Sequence, residues 1–190
     1  MTTLAAIQGN GWAVVGCDSR SSDENGRPIN MMTHKIVENN GILIAGSGAG
    51  RGSNIMQFGW KAPRPKANED LDIFMTQTFI PKMRQTFIDA GYDMKDDGDA
   101  ATHDSEFLIL VRGVIYPVFE DYSWDRDSRG MYYSGSGGDI ALGALEAFNA
   151  NRKTLTPKIA EAEIKAAINI ASKWDIYTAE PIIIKTQYAK

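Results

Sequence analysis

Histidine, cysteine and basic charge are all scarce in this chain. Its 190 residues contain two histidines, His34 and His103, and one cysteine, Cys17. Two histidines are too few for the multi-histidine centres of most catalytic zinc sites. One cysteine forms no disulfide within the chain, so nothing points to a stapled, secreted scaffold. The 20 basic against 24 acidic side chains give a net charge of −4, opposite to the basic face a nucleic-acid surface requires. No segment approaches the roughly 20 apolar residues that cross a bilayer. No basic residue precedes Arg20, as a secretory signal would need. These absences predict one cytoplasmic domain over residues 1–190, with no nucleic-acid or membrane partner and no metal or other cofactor. Hydrophobic residues at 43% and charged residues at 23% supply an ordinary packed core.

The punctuation of the chain predicts its elements. Thr2 to Ile7 and Trp12 to Asp18 are β-rich runs around Asn10-Gly11, a hairpin signal. His34 to Val37 and Gly41 to Ala45 form a second pair across a Glu38-Asn39-Asn40 turn. Ser53 is positioned to cap a helix starting at Asn54, and Asn68 a long helix ending at Gly91 with a kink at Pro81. Strand patterns return at Phe107 to Val111, Val114 to Phe119 and Met131 to Tyr133. Helical spacing runs from Gly137 through Phe148. Thr156-Pro157 opens a last helix, and Ile182 to Tyr188 a last strand. This order lacks the strand–helix alternation of parallel folds. It predicts an α+β architecture of antiparallel sheets with helices packed outside.

Three motifs fall short of the chemistry they suggest. Gly46 to Gly52 follows a strand, but Arg51 and Ser53 stand where a dinucleotide loop needs glycine, and no Gly-Lys-Ser/Thr is present. The loop's backbone N–H groups are better suited to an oxyanion. Asp93 to Asp104 imitates a calcium loop through Asp93, Asp97 and Gly98. Lys95 occupies a position that needs an oxygen ligand, and Asp104 replaces the closing glutamate. Ser136, in Ser134-Gly135-Ser136-Gly137-Gly138, is not a nucleophile elbow and has no local histidine signature; taken alone, it reads as a helix cap.

The amino terminus is more informative. A strand starts at Thr2, directly behind Met1. With Met1 removed, Thr2 would carry hydroxyl nucleophile and α-amine base on one residue. The amine's ordinary pKa of about 8 calls for a nearby cation to keep it neutral. Asp18-Ser19-Arg20 ends the second strand and Lys35-Ile36 opens the third. A lysine held by that aspartate beside Thr2 would lower the pKa of both amine and hydroxyl.

Together with these, Thr2-Thr3-Leu4-Ala5, Gly16-Cys17-Asp18-Ser19-Arg20, Ala45-Gly46-Ser47-Gly48-Ala49-Gly50, Gly135-Ser136-Gly137 and Asp175-Ile176-Tyr177-Thr178 occur in the order found in β-type proteasome subunits. The chain resembles that family, including the simple bacterial ring peptidase that works with an unfoldase ATPase, over nearly its whole length. The resemblance implies a four-layer αββα sandwich, the N-terminal-nucleophile (Ntn) hydrolase fold. It implies a threonine endopeptidase with Thr2 as nucleophile, Lys35 tuning it and Asp18 orienting Lys35. Gly48, with Gly46 and Gly50 as alternatives, would donate to the oxyanion. Ser136, Asp175 and Thr178 would form the network near the amine. Implied partners are identical subunits in a ring, unfolded polypeptide and an ATP-dependent unfoldase. Ser53-Asn54 stands where the family usually carries aspartate, and Thr178 where it usually carries serine. A silent ring subunit of the same fold and an Ntn amidase acting on a small molecule are the competing readings.

Overall fold

The computed structural model describes residues 2–23, 25–94 and 101–189. Two four-stranded antiparallel sheets stack face to face. The first has the order β10-β2-β1-β9, built from β1 (Leu4–Gly9), β2 (Trp12–Cys17), β9 (Met131–Ser134) and β10 (Ile183–Tyr188). The second runs β5-β6-β7-β8, from β5 (Ile36–Asn39), β6 (Ile42–Gly48), β7 (Ser105–Val111) and β8 (Val114–Val118). A small hairpin of β3 (Arg20–Ser22) and β4 (Pro28–Asn30) sits in the polar stretch where the sequence pattern predicted no strand.

The two-residue alternation of strand side chains separates three apolar layers. Leu4, Ala6, Val15, Leu43, Ala45, Leu108 and Leu110 pack between the sheets. Ala5, Ile7 and Val14 point the other way, onto α4 (Gly138–Asn149) and α5 (Pro157–Ala171) through Leu145, Ile164 and Ile168. Ile42, Ile44, Phe107 and Ile109 meet α1 (Gly50–Phe58), α2 (Leu71–Phe74) and α3 (Ile80–Asp89) through Met56, Phe74, Met83 and Phe87. Helices therefore cover both outer faces: the strand and helix order predicted antiparallel sheets with helices outside, and the four-layer αββα arrangement is the one the resemblance implied.

Local chemistry moves several boundaries. β5 continues through Asn39, whose buried amide bonds the carbonyls of Met56 and Trp60 and the N–H of Ala62. The turn is instead Asn40-Gly41, at φ 53° and 83°, the left-handed pair a two-residue hairpin loop requires. α1 begins at Gly50 behind Ala49 with no side-chain cap, so Ser53 lies inside the helix rather than capping it. Asp70, not Asn68, caps the next helix, accepting from the N–H groups of Asp72 and Ile73. The irregularity expected at Pro81 lies just before it: Met75–Phe79 form a π-helical turn, closed by the Ile80 N–H on the Met75 carbonyl. Pro81 has no N–H to continue the regular ladder, and widening the preceding turn accommodates that loss. Thr156 and Pro157 start α5 as expected.

Of the acidic loop, Lys95, Asp97 and Gly98 lie outside the described residues. Asp93 is held by the Tyr122 hydroxyl at 2.5 Å and Arg84 at 3.3 Å. His103, on the same side of the molecule, is 1% exposed among the rings of Phe87, Phe107 and Tyr122. Among the described residues, neither of its ring nitrogens makes a hydrogen bond of standard geometry. Burial pushes its pKa from 6.5 down to about 4, against the opposing pull of Asp93 and Asp121. The unfolded chain therefore gains a proton below pH 6.5 that the native state refuses until about pH 4. Native stability should fall by up to about 3 kcal/mol across that window. Urea titrations at pH 7 and pH 4.5 should show this extra loss in the parent and a smaller one in His103→Phe; equal losses would contradict it.

Candidate active site

The site forms where β1, β2, β5 and β6 end on one rim of the sandwich. Asp18, fully buried, follows β2 and accepts from four donors. Its Oδ1 takes the Thr3 N–H at 2.9 Å and the Lys35 ammonium at 2.6 Å. Its Oδ2 takes the N–H groups of Arg20 at 2.9 Å and Ala179 at 3.3 Å. Lys35, 6% exposed, precedes β5 and is brought to Asp18 by the pairing of β5 with β6, whose Gly46 N–H bonds the Lys35 carbonyl at 3.1 Å. Both carboxylate oxygens are thus fully engaged, each by two donors.

Thr2 and Thr3 separate onto opposite sides of the first sheet. Thr2 shares the face of Leu4 and Ala6, directed between the sheets, and is 4% exposed. It lines a cavity of about 390 Å³ with Lys35, Gly46, Ser47, Gly48 and Ser53. Thr3 faces the helices. Its hydroxyl lies 2.5 Å from that of Thr178, which donates to Asp175 Oδ2 at 2.6 Å. Ser136 donates to the same Oδ2 at 2.8 Å. Gly137, not Ser136, occupies the cap position of α4, without a side-chain cap bond. The Ser136 hydroxyl therefore serves Asp175, with no histidine between them.

Two N–H groups of the glycine loop are already engaged within the fold. The Gly46 N–H is engaged by Lys35, and that of Ala49 by the Asp104 carbonyl at 2.9 Å. Alternation sends the Gly48 N–H to the same side as that of Gly46. At Gly48 this side lies beyond the start of β5, in the cavity that Thr2 lines. Gly48 adopts φ +91°, and a Cβ there would sit 2.8 Å from the Asp104 carbonyl oxygen. Only glycine keeps this peptide in place. Gly50 lines the same cavity as the first residue of α1. A larger cavity of about 990 Å³ continues on the far side of Ser47 and Gly48, reaching Glu106, Ser134 and Ser136 but not Thr2.

All seven residues singled out in the sequence (Thr2, Asp18, Lys35, Gly48, Ser136, Asp175 and Thr178) fall on this rim. Sequence reasoning missed Thr3, which joins the start of the first strand to Thr178, and Ser47, Ser134 and Glu106, linked by hydrogen bonds between the sheets. The available signal was a polar residue on the core-facing side of a strand end. Cys17, adjacent to Asp18, is no competing nucleophile, since burial pushes its thiol up to about 12. His34 is exposed, and His103 sits in its aromatic cage. Among the described residues, no group of three or more His, Cys, Asp or Glu is placed to hold a metal ion.

No protein-family model matches the sequence, and no curated protein matches it. Solved structures do match in shape. Thiobacillus denitrificans BPH in complex with epoxomicin aligns at TM-score 0.77 and 18% identity, covering all of both chains. T. denitrificans BPH aligns at TM-score 0.77 and 19% identity, over 100% of this chain and 99% of that one. Eukaryotic HslV from Trypanosoma brucei aligns at TM-score 0.66 and 14% identity, over 98% and 99% of the two chains. The fold is that of the proteasome-like Ntn hydrolases.

Truncating Asp18 would take the carboxylate away from the Lys35 ammonium and from three backbone N–H groups in a buried site. Asp18→Ala should cost about 3–5 kcal/mol, the usual penalty for removing one partner of a buried ion pair. Urea unfolding measures it, and an unchanged midpoint would mean that the pair does not hold the rim together.

Proposed function

We propose that the chain is a threonine endopeptidase subunit of a self-compartmentalising ring protease. It acts in the cytoplasm on unfolded polypeptide, with an ATP-dependent unfoldase as partner. One observation carries this reading: Thr2, the Asp18-bound Lys35 and the Gly48 peptide border a single cavity. Its supports are the chain-length likeness to the BPH and HslV structures and a set of exposed apolar side chains available for subunit contacts. Trp174, Ile176 and Phe58 are among these, at 78%, 73% and 71% exposed.

After loss of Met1, the Thr2 α-amine accepts the Oγ1 proton as Oγ1 bonds to the scissile carbonyl carbon. The carbonyl oxygen becomes an oxyanion and takes the Gly48 N–H. The ammonium then returns its proton to the leaving nitrogen, the C–N bond breaks, and an acyl-ester remains on Thr2. Water, deprotonated by the same amine, hydrolyses the ester and regenerates the hydroxyl. The positive charge of Lys35 keeps the amine neutral near pH 7 and favours the developing alkoxide. Asp18 fixes Lys35 in this place. Ser136, Asp175, Thr178 and Thr3 hold the strand start from its other side.

Two experiments test the reading. Intact mass should show the active protein one methionine lighter than the full sequence, and Thr2→Ala should lose at least about 10³-fold in fluorogenic-peptide cleavage. Activity with Met1 retained, or surviving in Thr2→Ala, would refute it. In Lys35→Ala the amine loses its neighbouring cation, so its pKa rises toward about 8. The acid limb of kcat/KM against pH should therefore move to higher pH as turnover falls. An unmoved limb would remove Lys35 from this role.

A further inference from the structure

Over most of their area the two sheets meet through apolar side chains, which resist separation but lack directionality. At the catalytic rim this layer turns polar. Ser47 continues the inward series Leu43, Ala45 on β6; Glu106 continues Leu110, Leu108 on β7; Ser134 continues Tyr132 on β9. Ser47 and Glu106 are register partners within the second sheet. Ser134 belongs to the first sheet, yet its hydroxyl lies 2.6 Å from that of Ser47 and donates to Glu106 Oε2 at 2.5 Å.

A carboxylate only accepts, so the Ser134 proton goes to Glu106 and its lone pair takes the proton of Ser47. The result is a directed chain, Ser47 to Ser134 to Glu106, that crosses between the sheets. Ser47 and Ser134 are each 4% exposed, so water competes little for these bonds. Each serine immediately precedes a part of the site. Ser47 leads into the Gly48 peptide. Ser134 is the register partner of Leu4 and leads into Gly135, which backs onto Thr2 so closely that a Cβ would lie 2.1 Å from the Thr2 carbonyl oxygen.

We propose that Glu106 is a positioning residue: through Ser134 and Ser47 it fixes the distance between the oxyanion donor on one sheet and the nucleophile on the other. This rests on the peptidase reading above. Glu106 touches neither Thr2 nor the scissile bond and acts by setting where the Gly48 N–H stands. Errors of about 1 Å in such a placement cost up to about 10²-fold in rate.

The test uses the processed full chain, its best fluorogenic peptide, and a peptide aldehyde and the corresponding alcohol of the same sequence. The aldehyde carbon accepts Thr2 Oγ1 and its oxygen occupies the oxyanion position; the alcohol forms no such bond. Glu106→Ala and Ser134→Ala should each lower kcat about 10- to 100-fold with KM held within about twofold. Each should weaken the aldehyde by a similar factor and leave the alcohol unchanged. Glu106→Gln keeps an acceptor for Ser134 and should recover most of the lost kcat. Ser47→Ala gives the same readout if Ser134→Ala does not melt cooperatively. Parent-like kcat in Glu106→Ala, equal weakening of aldehyde and alcohol, or a Gln variant as impaired as Ala would overturn the proposal. Activity surviving Thr2→Ala would remove the site itself. A dead Thr2→Ala beside an indifferent Glu106→Ala would remove only the role of Glu106.

Discussion

Asp18 has no exposed surface, and its two oxygens gather the Lys35 ammonium and the N–H groups of Thr3, Arg20 and Ala179. These donors come from the starts of β1 and β3, the approach to β5 and the loop before β10, so one carboxylate joins segments scattered through the whole chain. Desolvating a lone carboxylate there would cost several kcal/mol, and the charge is tolerable only because every donor is in place. The same arrangement ties stability to chemistry. The carboxylate that holds the strand ends together also sets the position of Lys35 beside Thr2.

Around that anchor, strand alternation divides the work of the amino terminus. Thr2 faces the interlayer, where Lys35 and the Gly48 peptide lie; Thr3 faces the helices, where Thr178, Asp175 and Ser136 form a hydrogen-bonded chain. A one-residue shift of β1 would exchange the two threonines and dismantle both sets of contacts. The register with β2 and β9, fixed by Leu4 against Cys17 and against Ser134, therefore decides which threonine enters the cavity. The Ser47–Ser134–Glu106 bridge extends this constraint to the second sheet.

Much of this was legible in the sequence, for identifiable reasons. Asn10-Gly11, Thr156-Pro157 and the apolar periods of β7, β8 and α5 are local signals, and they placed their elements within a few residues. Asp18, Lys35, Ser136 and Asp175 sit at element ends beside turn residues, where a polar side chain attracts notice. Less legible was what tertiary contacts decide. Asn39 reads as a turn residue, but it stays in β5 because its amide is consumed by α1 and the segment after it. Ser53 reads as a cap, yet α1 starts earlier and the serine reaches the cavity. Ser47, Ser134 and Glu106 are unremarkable singly, because their meaning lies in a bridge between strands far apart in sequence.

In the proposed mechanism Thr2 acts through its own hydroxyl and amine. The most direct measurement is tandem mass spectrometry of protein quenched in acid during turnover of a peptide ester. The expected species carries an acyl group on the Thr2 side-chain oxygen, with the α-amine free and Met1 absent. An acyl group on any other residue, or on Thr2 with Met1 still attached, would contradict that mechanism.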